Sequence, residues 1–169
     1  MPEITLRHEI DCDEDTFWTK LVFDEAFNKQ MYEGGMKFPA WKLVESKDSG
    51  DKIQRKVFVD PPAGDLPGPI KKALGNSLAY TEEGTFDKTT KRYTFKVTPA
   101  AMADKTKING ELWTEKIGDK KTRRMCKINV EVKVMLVGGM IQDRILQDLQ
   151  KSYDTSTIYT NKFIAENGL

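Results

Sequence analysis

Apolar and polar side chains alternate along most of this chain, and the period of that alternation changes at only a few places. Residues 3–10 put Ile4, Leu6, His8 and Ile10 on one face, the two-residue period of a strand. The spacing then turns helical. Asp13 is a good N-cap followed by two acids, and Phe17, Trp18, Leu21 and Val22 recur at helical intervals. A second helical piece runs from Asp24 to about Tyr32, with Phe27 and Met31 on one face, and Gly34-Gly35 ends it. From there the pattern is β. Residues 37–47 carry Phe38, Trp41 and Leu43, and Ser49-Gly50-Asp51 marks a turn. Ile53, Arg55, Val57 and Val59 share the next strand face until Pro61-Pro62 stops the ladder. Further strands are predicted over 77–86, 91–98, 107–117 and 122–136, with Gly118-Asp119 as a hairpin turn. In the last of them Cys126, Ile128, Val130, Val132 and Val134 alternate with Lys127, Asn129, Glu131 and Lys133, so one face is buried and the other wet.

Two segments stand apart. Residues 61–76 interrupt the strands with a proline- and glycine-rich insertion that fits a short helix from Pro67 to Leu74, with Leu66, Ile70, Ala73 and Leu74 apolar and Lys71 and Lys72 polar. After Gly138-Gly139 nothing breaks a helix from Met140 to about Glu166, which at ~1.5 Å per residue is roughly 40 Å long. Its stripe is Ile141, Ile145, Leu149, Ser152, Ser156, Tyr159 and Phe163, widened by Leu146 and Tyr153. The predicted class is therefore α+β: strand, two short helices, six strands, long helix. One seven-stranded antiparallel sheet must cover its apolar face, and the C-terminal helix is the only element long enough to do so.

The helix stripe changes character in its middle, from bulky Ile141, Ile145 and Leu149 to small, polar Ser152, Thr155 and Ser156. Either facing aromatics such as Trp113 and Phe95 fill the gap, since interiors are close-packed, or a pocket lies there, apolar with a few hydroxyls for orientation. On the second reading Trp41, Phe95, Trp113, Ile128, Val130 and Leu149 line it, and Ser152, Tyr153, Ser156 and Tyr159 supply the hydroxyls.

Composition narrows the choice. The 169 residues suit one domain, 1–169, with one core. With 27 basic and 26 acidic side chains the net charge is +1, and no global field draws the chain to nucleic acid or an anionic membrane. The run Lys120, Lys121, Arg123, Arg124 reads as a solvated hairpin or as a local basic patch. Two cysteines, Cys12 and Cys126, need no disulfide framework, and a reduced cytoplasmic setting is expected. The N-terminus lacks the apolar run of a signal peptide, and no stretch reaches the ~18 apolar residues of a membrane span.

The order of elements resembles the helix-grip fold of the START-like (SRPBCC) superfamily, which includes StAR-related lipid-transfer proteins and birch-pollen allergens. Three pieces are similar to a bacterial branch of it: Leu66-Pro67 through Leu74-Gly75, Asn109-Gly110-Glu111-Leu112, and Val134-Met135-Leu136-Val137-Gly138-Gly139-Met140-Ile141. The likeness spans roughly residues 3–165, and Met135 departs from it where proline is expected. The resemblance implies a curved sheet gripping the last helix around a cavity for a hydrophobic molecule, such as a lipid or sterol-like compound, without a cofactor. It also admits cyclase- or aromatase-like enzymes acting on an apolar cyclic substrate, and a domain whose gap is filled would instead be a packed interaction module. The helix at 66–75 is the natural gate, with Leu66, Ile70 and Leu74 either dipping into a membrane while Lys71 and Lys72 meet phosphates, or capping the core.

Catalytic chemistry is sparse. His8 is the sole histidine, and with Ile4, Leu6 and Ile10 as face-mates it reads as a core or rim residue. One histidine and two distant cysteines offer no zinc spacing. Glu82-Glu83 read as a solvated strand end; Glu111 and Glu115 share a face with Trp113 and would be candidate bases if that face lined the cavity. Arg92, Tyr93, Phe95 and Lys96 mix aromatics with charge, but strict alternation separates the two, which argues against single-strand RNA binding.

Overall fold

The computed structural model describes residues 2–75 and 77–169. Asn76, the last residue of the expected insertion, lies outside them, as does Met1 at the N-terminus. The strands are β1 (Glu3–Ile10), β2 (Ala40–Asp48), β3 (Lys52–Asp60), β4 (Tyr80–Asp87), β5 (Arg92–Pro99), β6 (Thr106–Gly118) and β7 (Lys121–Val132). They form one seven-stranded sheet in the order β1-β7-β6-β5-β4-β3-β2, with every pair antiparallel. Register shifts at Leu43/Glu45 and Lys116/Gly118 mark irregularities in β2 and β6, the kind of feature that bends and twists a sheet.

The helices are α1 (residues 14–22), α2 (residues 25–35), α3 (Gly68–Leu74) and α4 (Gly138–Asn167). Asp13 caps α1 by accepting from the Thr16 N–H at 3.0 Å, and Asp24 caps α2 by accepting from the Phe27 N–H at 2.7 Å. Both helices begin as α-turns and widen into π-type turns, over Phe17–Val22 and Gln30–Gly35. Between them the Asn28 side chain donates to the carbonyls of Leu21, Val22 and Asp24, so the tight link is tied by an amide that the helical pattern left unassigned.

The predicted strand over 122–136 ends earlier, at Val132, and α4 starts at Gly138, two residues before Met140. The junction explains both shifts. Gln142 Oε1 accepts from the Val132 N–H at 2.8 Å, so the last ladder donor is taken by the helix and not by a strand. A Cβ at Gly138 would stand 2.5 Å from the Val132 carbonyl oxygen, and only glycine allows the helix to start this close. Predicted strands at 37–47 and 77–86 likewise begin three residues later than the alternation implies.

α4 packs across β1 and β7 and against the end of α2, at one side of the sheet. Its buried positions, Ile141, Ser156, Thr160 and Ile164, lie towards its two ends, whereas Ile145, Leu149 and Ser152 between them are only partly covered. The concave faces of β3 to β6 are closed from the other side by α1 and α2, with Phe17, Trp18, Leu21, Phe27 and Met31 in the main core. A smaller cluster, Trp41, Val57 and Val59, seals the β2 edge under Tyr32 and Phe38.

Candidate functional site

Between the middle of α4, the concave sheet and α1–α2 lies a hollow of about 270 Å³. That is just under the ~300–1,000 Å³ usual for small-molecule sites, and apolar like them. Leu21, Phe27, Met31, Phe95, Leu112 and Ile128 are among the apolar residues of its wall. One end is closed by α3, whose Ile70 is buried and whose Leu74 also reaches the cavity, while Lys71 and Lys72 face solvent. A fold that covers its sheet with one straight helix leaves such a space where the strands curve away and the facing side chains are small.

The polar groups on this wall are few and specific. Five are charged: Arg55, Glu82, Arg124, Arg144 and Asp148. Arg55 projects inward from β3, donates to the Val22 carbonyl at 2.7 Å and meets Glu82 Oε2 at 3.4 Å. Tyr93 donates its hydroxyl to the same Glu82 oxygen at 2.9 Å. Burial opposes the Arg55 charge, but Tyr93 and Glu82 more than offset it, and its pKa lies above the ordinary value. Burial first, and Glu82 second, push the Tyr93 hydroxyl far above its usual range, so it remains a hydrogen-bond donor at neutral pH. Arg144 and Asp148 pair at 3.0 Å one turn apart on α4.

Arg124 differs. It is 7% exposed. It donates to Thr157 Oγ1 at 2.8 Å, to the Tyr153 carbonyl at 3.2 Å and, at a long 3.4 Å, to Ser156 Oγ. Its guanidinium lies 4.8 Å from the Tyr153 ring centroid, a cation–π arrangement. Burial lowers its pKa, and nearby Tyr153 and Cys126 offset only part of that. Next to it Cys126 donates its thiol to the Tyr153 hydroxyl at 3.3 Å, and burial pushes that thiol up to about 11.

Of the residues predicted from the pattern, Phe95, Ile128, Leu149, Ser152, Tyr153 and Ser156 reach the cavity wall, with Ile70 and Leu74 at its end. Four others do not. Trp113 faces outward, because Ile108, Gly110 and Leu112 take the inner face of β6; its ring instead receives Arg92 at 4.7 Å. Glu111 and Glu115 share that outer face and pair with Arg92 at 2.6 Å and Arg123 at 3.2 Å, so neither is a base in the cavity. Trp41 is on the inner face but at the β2 edge, stacked 6.1 Å from Tyr32 and cut off from the hollow. Val130 is wholly buried in the core where the start of α4 closes on β7. Tyr159 turns away to pack on Gly35 and Phe27 of α2. Leu66 packs against the core beside α3 without reaching the wall, and Thr155 is exposed.

The sequence reading missed the charged groups. Glu82 is inside, not at a solvated strand end, and of the basic run only Lys120, Lys121 and Arg123 are at the surface. Parity held the signal: Arg55 shares the face of Val57 and Val59, Glu82 that of Phe86, and Arg124 lies two residues before Cys126 on the apolar face of β7. His8 sits beside this polar group, its Nε2 2.7 Å from Asp154 and its ring stacked at 6.3 Å from Tyr153. Among the described residues no three His, Cys, Asp or Glu side chains converge as metal ligands, and no helix is long and apolar enough to cross a membrane.

A family model described as a protein of unknown function, DUF2505, matches residues 5–164. No curated protein matches the chain. Among solved structures it is similar to TTHA0849 from Thermus thermophilus, at 14% identity and a TM-score of 0.67 over 99% of this chain and 100% of that one. It is also similar to the Zhui aromatase/cyclase from Streptomyces sp. R1128, at 8% identity and a TM-score of 0.71 over 99% and 96%. A START superfamily protein from Mycobacterium smegmatis matches at 14% identity and a TM-score of 0.59 over 93% and 97%. At these identities the likeness concerns the fold, and the fold is the START-like helix grip.

Proposed function

We propose that this chain, which belongs to the DUF2505 family, binds and carries one small hydrophobic molecule in the hollow between the sheet and α4. The observation that carries the reading is the hollow itself: about 270 Å³ with a mainly apolar wall, its charged groups on β3, β4, β7 and α4. A void left by poor packing forfeits dispersion contacts all around its lining, and of the charged side chains on that lining Arg124 has no ion-pair partner among the described residues. Its size suits a compact or single-chain apolar compound and not a two-chain phospholipid held whole. The ligand contacts on this reading come from Phe95, Ile128, Leu149, Ser152, Tyr153 and Ser156. α3 is the gate, Ile70 and Leu74 turned to the cavity and Lys71 and Lys72 to solvent, where they would meet the phosphates of a membrane during transfer. The two thiols, Cys12 and Cys126, are buried and unpaired, which supports a reducing, cytoplasmic setting.

The test is native purification, solvent extraction and mass spectrometry of the extract, followed by uptake from a mixed pool of apolar compounds. A stoichiometric apolar compound is expected. Ser152→Phe, which fills the hollow from α4, is expected to abolish uptake without unfolding the protein. An empty extract and no uptake by the wild-type chain would overturn the reading.

A cyclase-like activity is the second reading, favoured by one observation: a carboxylate and a phenol, Glu82 and Tyr93, hydrogen-bonded to each other on the cavity side of the sheet. It predicts that Glu82→Gln protein accumulates a compound different from that of the wild type. Recovery of the same compound from both removes this reading and leaves the carrier.

A further inference from the structure

The cavity wall carries three arginines and two carboxylates. Glu82 answers Arg55, and Asp148 answers Arg144. Arg124 is left over. None of the ion pairs among the described residues includes it, and its partners are two hydroxyls, a carbonyl and an aromatic face, all uncharged. Asp154, the acid nearest in sequence to those partners, is half exposed and already bound by His8 at 2.7 Å and Gln150 at 3.0 Å. Its other neighbours bring no anion: Cys126 is a neutral thiol, pushed up to about 11 by burial, and Tyr32 a neutral phenol, pushed up by burial to about 12.

A guanidinium has five N–H donors in a rigid fork. Three contacts are made, so two donors remain: one N–H of Nη1, and Nε, which like that of Arg55 is buried with no acceptor. A buried cation without a counterion is among the costliest arrangements in a protein interior. Arg124 lines the hollow, where an outside molecule can supply the missing charge.

We propose that Arg124 is the anchor for an anionic head group: the cavity's ligand is an apolar acid, a compact hydrocarbon body ending in one carboxylate, held with that carboxylate against Arg124 beneath α4. This rests on the reading of the hollow as a ligand site and adds the chemical class of the ligand. The apolar body lies along Phe95, Leu112, Ile128 and Leu149, and the carboxylate takes the free N–H of Arg124 Nη1, a charge-assisted contact that neutral alcohols and esters cannot reproduce. Arg55 does not compete, because Glu82 already holds it.

The experiment displaces a neutral fluorescent reporter, N-phenyl-1-naphthylamine, with decanoate, methyl decanoate or decanol at neutral pH. Wild-type protein is expected to bind decanoate about ten- to a hundred-fold more tightly than the ester or the alcohol, the range of a hydrogen bond to a charged group. Arg124→Met, and separately Arg124→Gln, are expected to bring the decanoate-to-ester ratio close to one. Equal affinity for acid and ester in the wild type, with the reporter bound, overturns the anchor and leaves the cavity as a site for neutral compounds. Failure of the wild type to bind the reporter and all three competitors overturns the cavity reading, and the anchor with it. Because the wild-type ratio decides alone, a variant that does not fold leaves the outcome intact.

Discussion

Arg55 and Arg124 enter the same cavity from two strands of one sheet, and the chain treats them in opposite ways. Around Arg55 it builds a closed set: a carboxylate, a phenol that reaches that carboxylate, and a backbone carbonyl from the α1–α2 link. Around Arg124 it provides hydroxyls and a carbonyl from one turn of α4 and no acid in direct contact; Asp154 acts on it only from a distance, bonded itself to His8 and Gln150. Both side chains are nearly out of solvent. The difference is one of charge: Arg55 ties the sheet to the helices that close the cavity and has a carboxylate partner in the free protein, whereas Arg124 is in none of the ion pairs among the described residues, although the Nε of each is buried without an acceptor.

The comparison can be broken most forcefully from the Arg55 side. Glu82→Ala turns Arg55 into a second unanswered cation, and removal of one partner of a buried pair costs about 3 kcal/mol. The urea midpoint is expected to fall accordingly; an unchanged midpoint would mean that the pair is idle. Gly84→Ala acts on the same set more gently. A Cβ there runs into the Tyr93 ring, which leans over Gly84 to reach Glu82, and overpacking of this kind costs about 2 kcal/mol. Arg124→Met should do the reverse of Glu82→Ala. It removes a charge that the chain leaves uncompensated, so the ligand-free protein is expected to keep its stability within about 1 kcal/mol or gain some, measured in the same denaturant series. A loss of several kcal/mol would make Arg124 structural.

The smallest effect concerns the thiols. Burial raises Cys126 from 9.0 to about 11 and Cys12 from 9.0 to about 12, with Asp13 and Asp11 adding to the latter. Their folded pKa values exceed the unfolded ones, so the stability they contribute is whole below pH ~9 and is lost as pH rises through the folded values. At pH 8 both are expected to react with a thiol reagent only after urea is added. Prompt reaction of Cys126 in the folded protein would put a thiolate beside Arg124 and dissolve the contrast.

Much of this was legible in the chain. The alternation of β7, the Asp13 cap, the proline-bounded insertion and the unbroken C-terminal helix each follow from local rules, and the structure has all of them. The small middle of α4 was a fair sign of a hollow, and Ser152 and Ser156 do face it. What misled was the assumption that aromatics mark the interior and charges the surface. Trp113 sits one residue out of phase with Leu112, and a single step of register carries a strand residue to the other face. Arg124 was hidden in a basic run at a hairpin, although its parity with Cys126 and Ile128 put it on the apolar face.

Sequence by itself determined the period of each element, the order of the elements and therefore the helix grip, because those depend on neighbours a few residues apart. Only the tertiary structure decided which inward residues meet the hollow and which are sealed beside it. Trp41, Val130 and Tyr159 are covered by the sheet edge, the start of α4 and α2, and Phe95 and Ile128 are not, although the pattern treats them alike. It also decided which charges are answered. Glu82 lies 27 residues from Arg55, and the hydroxyl that Arg124 meets at 2.8 Å lies 33 residues away. Whether a buried cation finds an anion depends on distances across the fold, and no local pattern carries those.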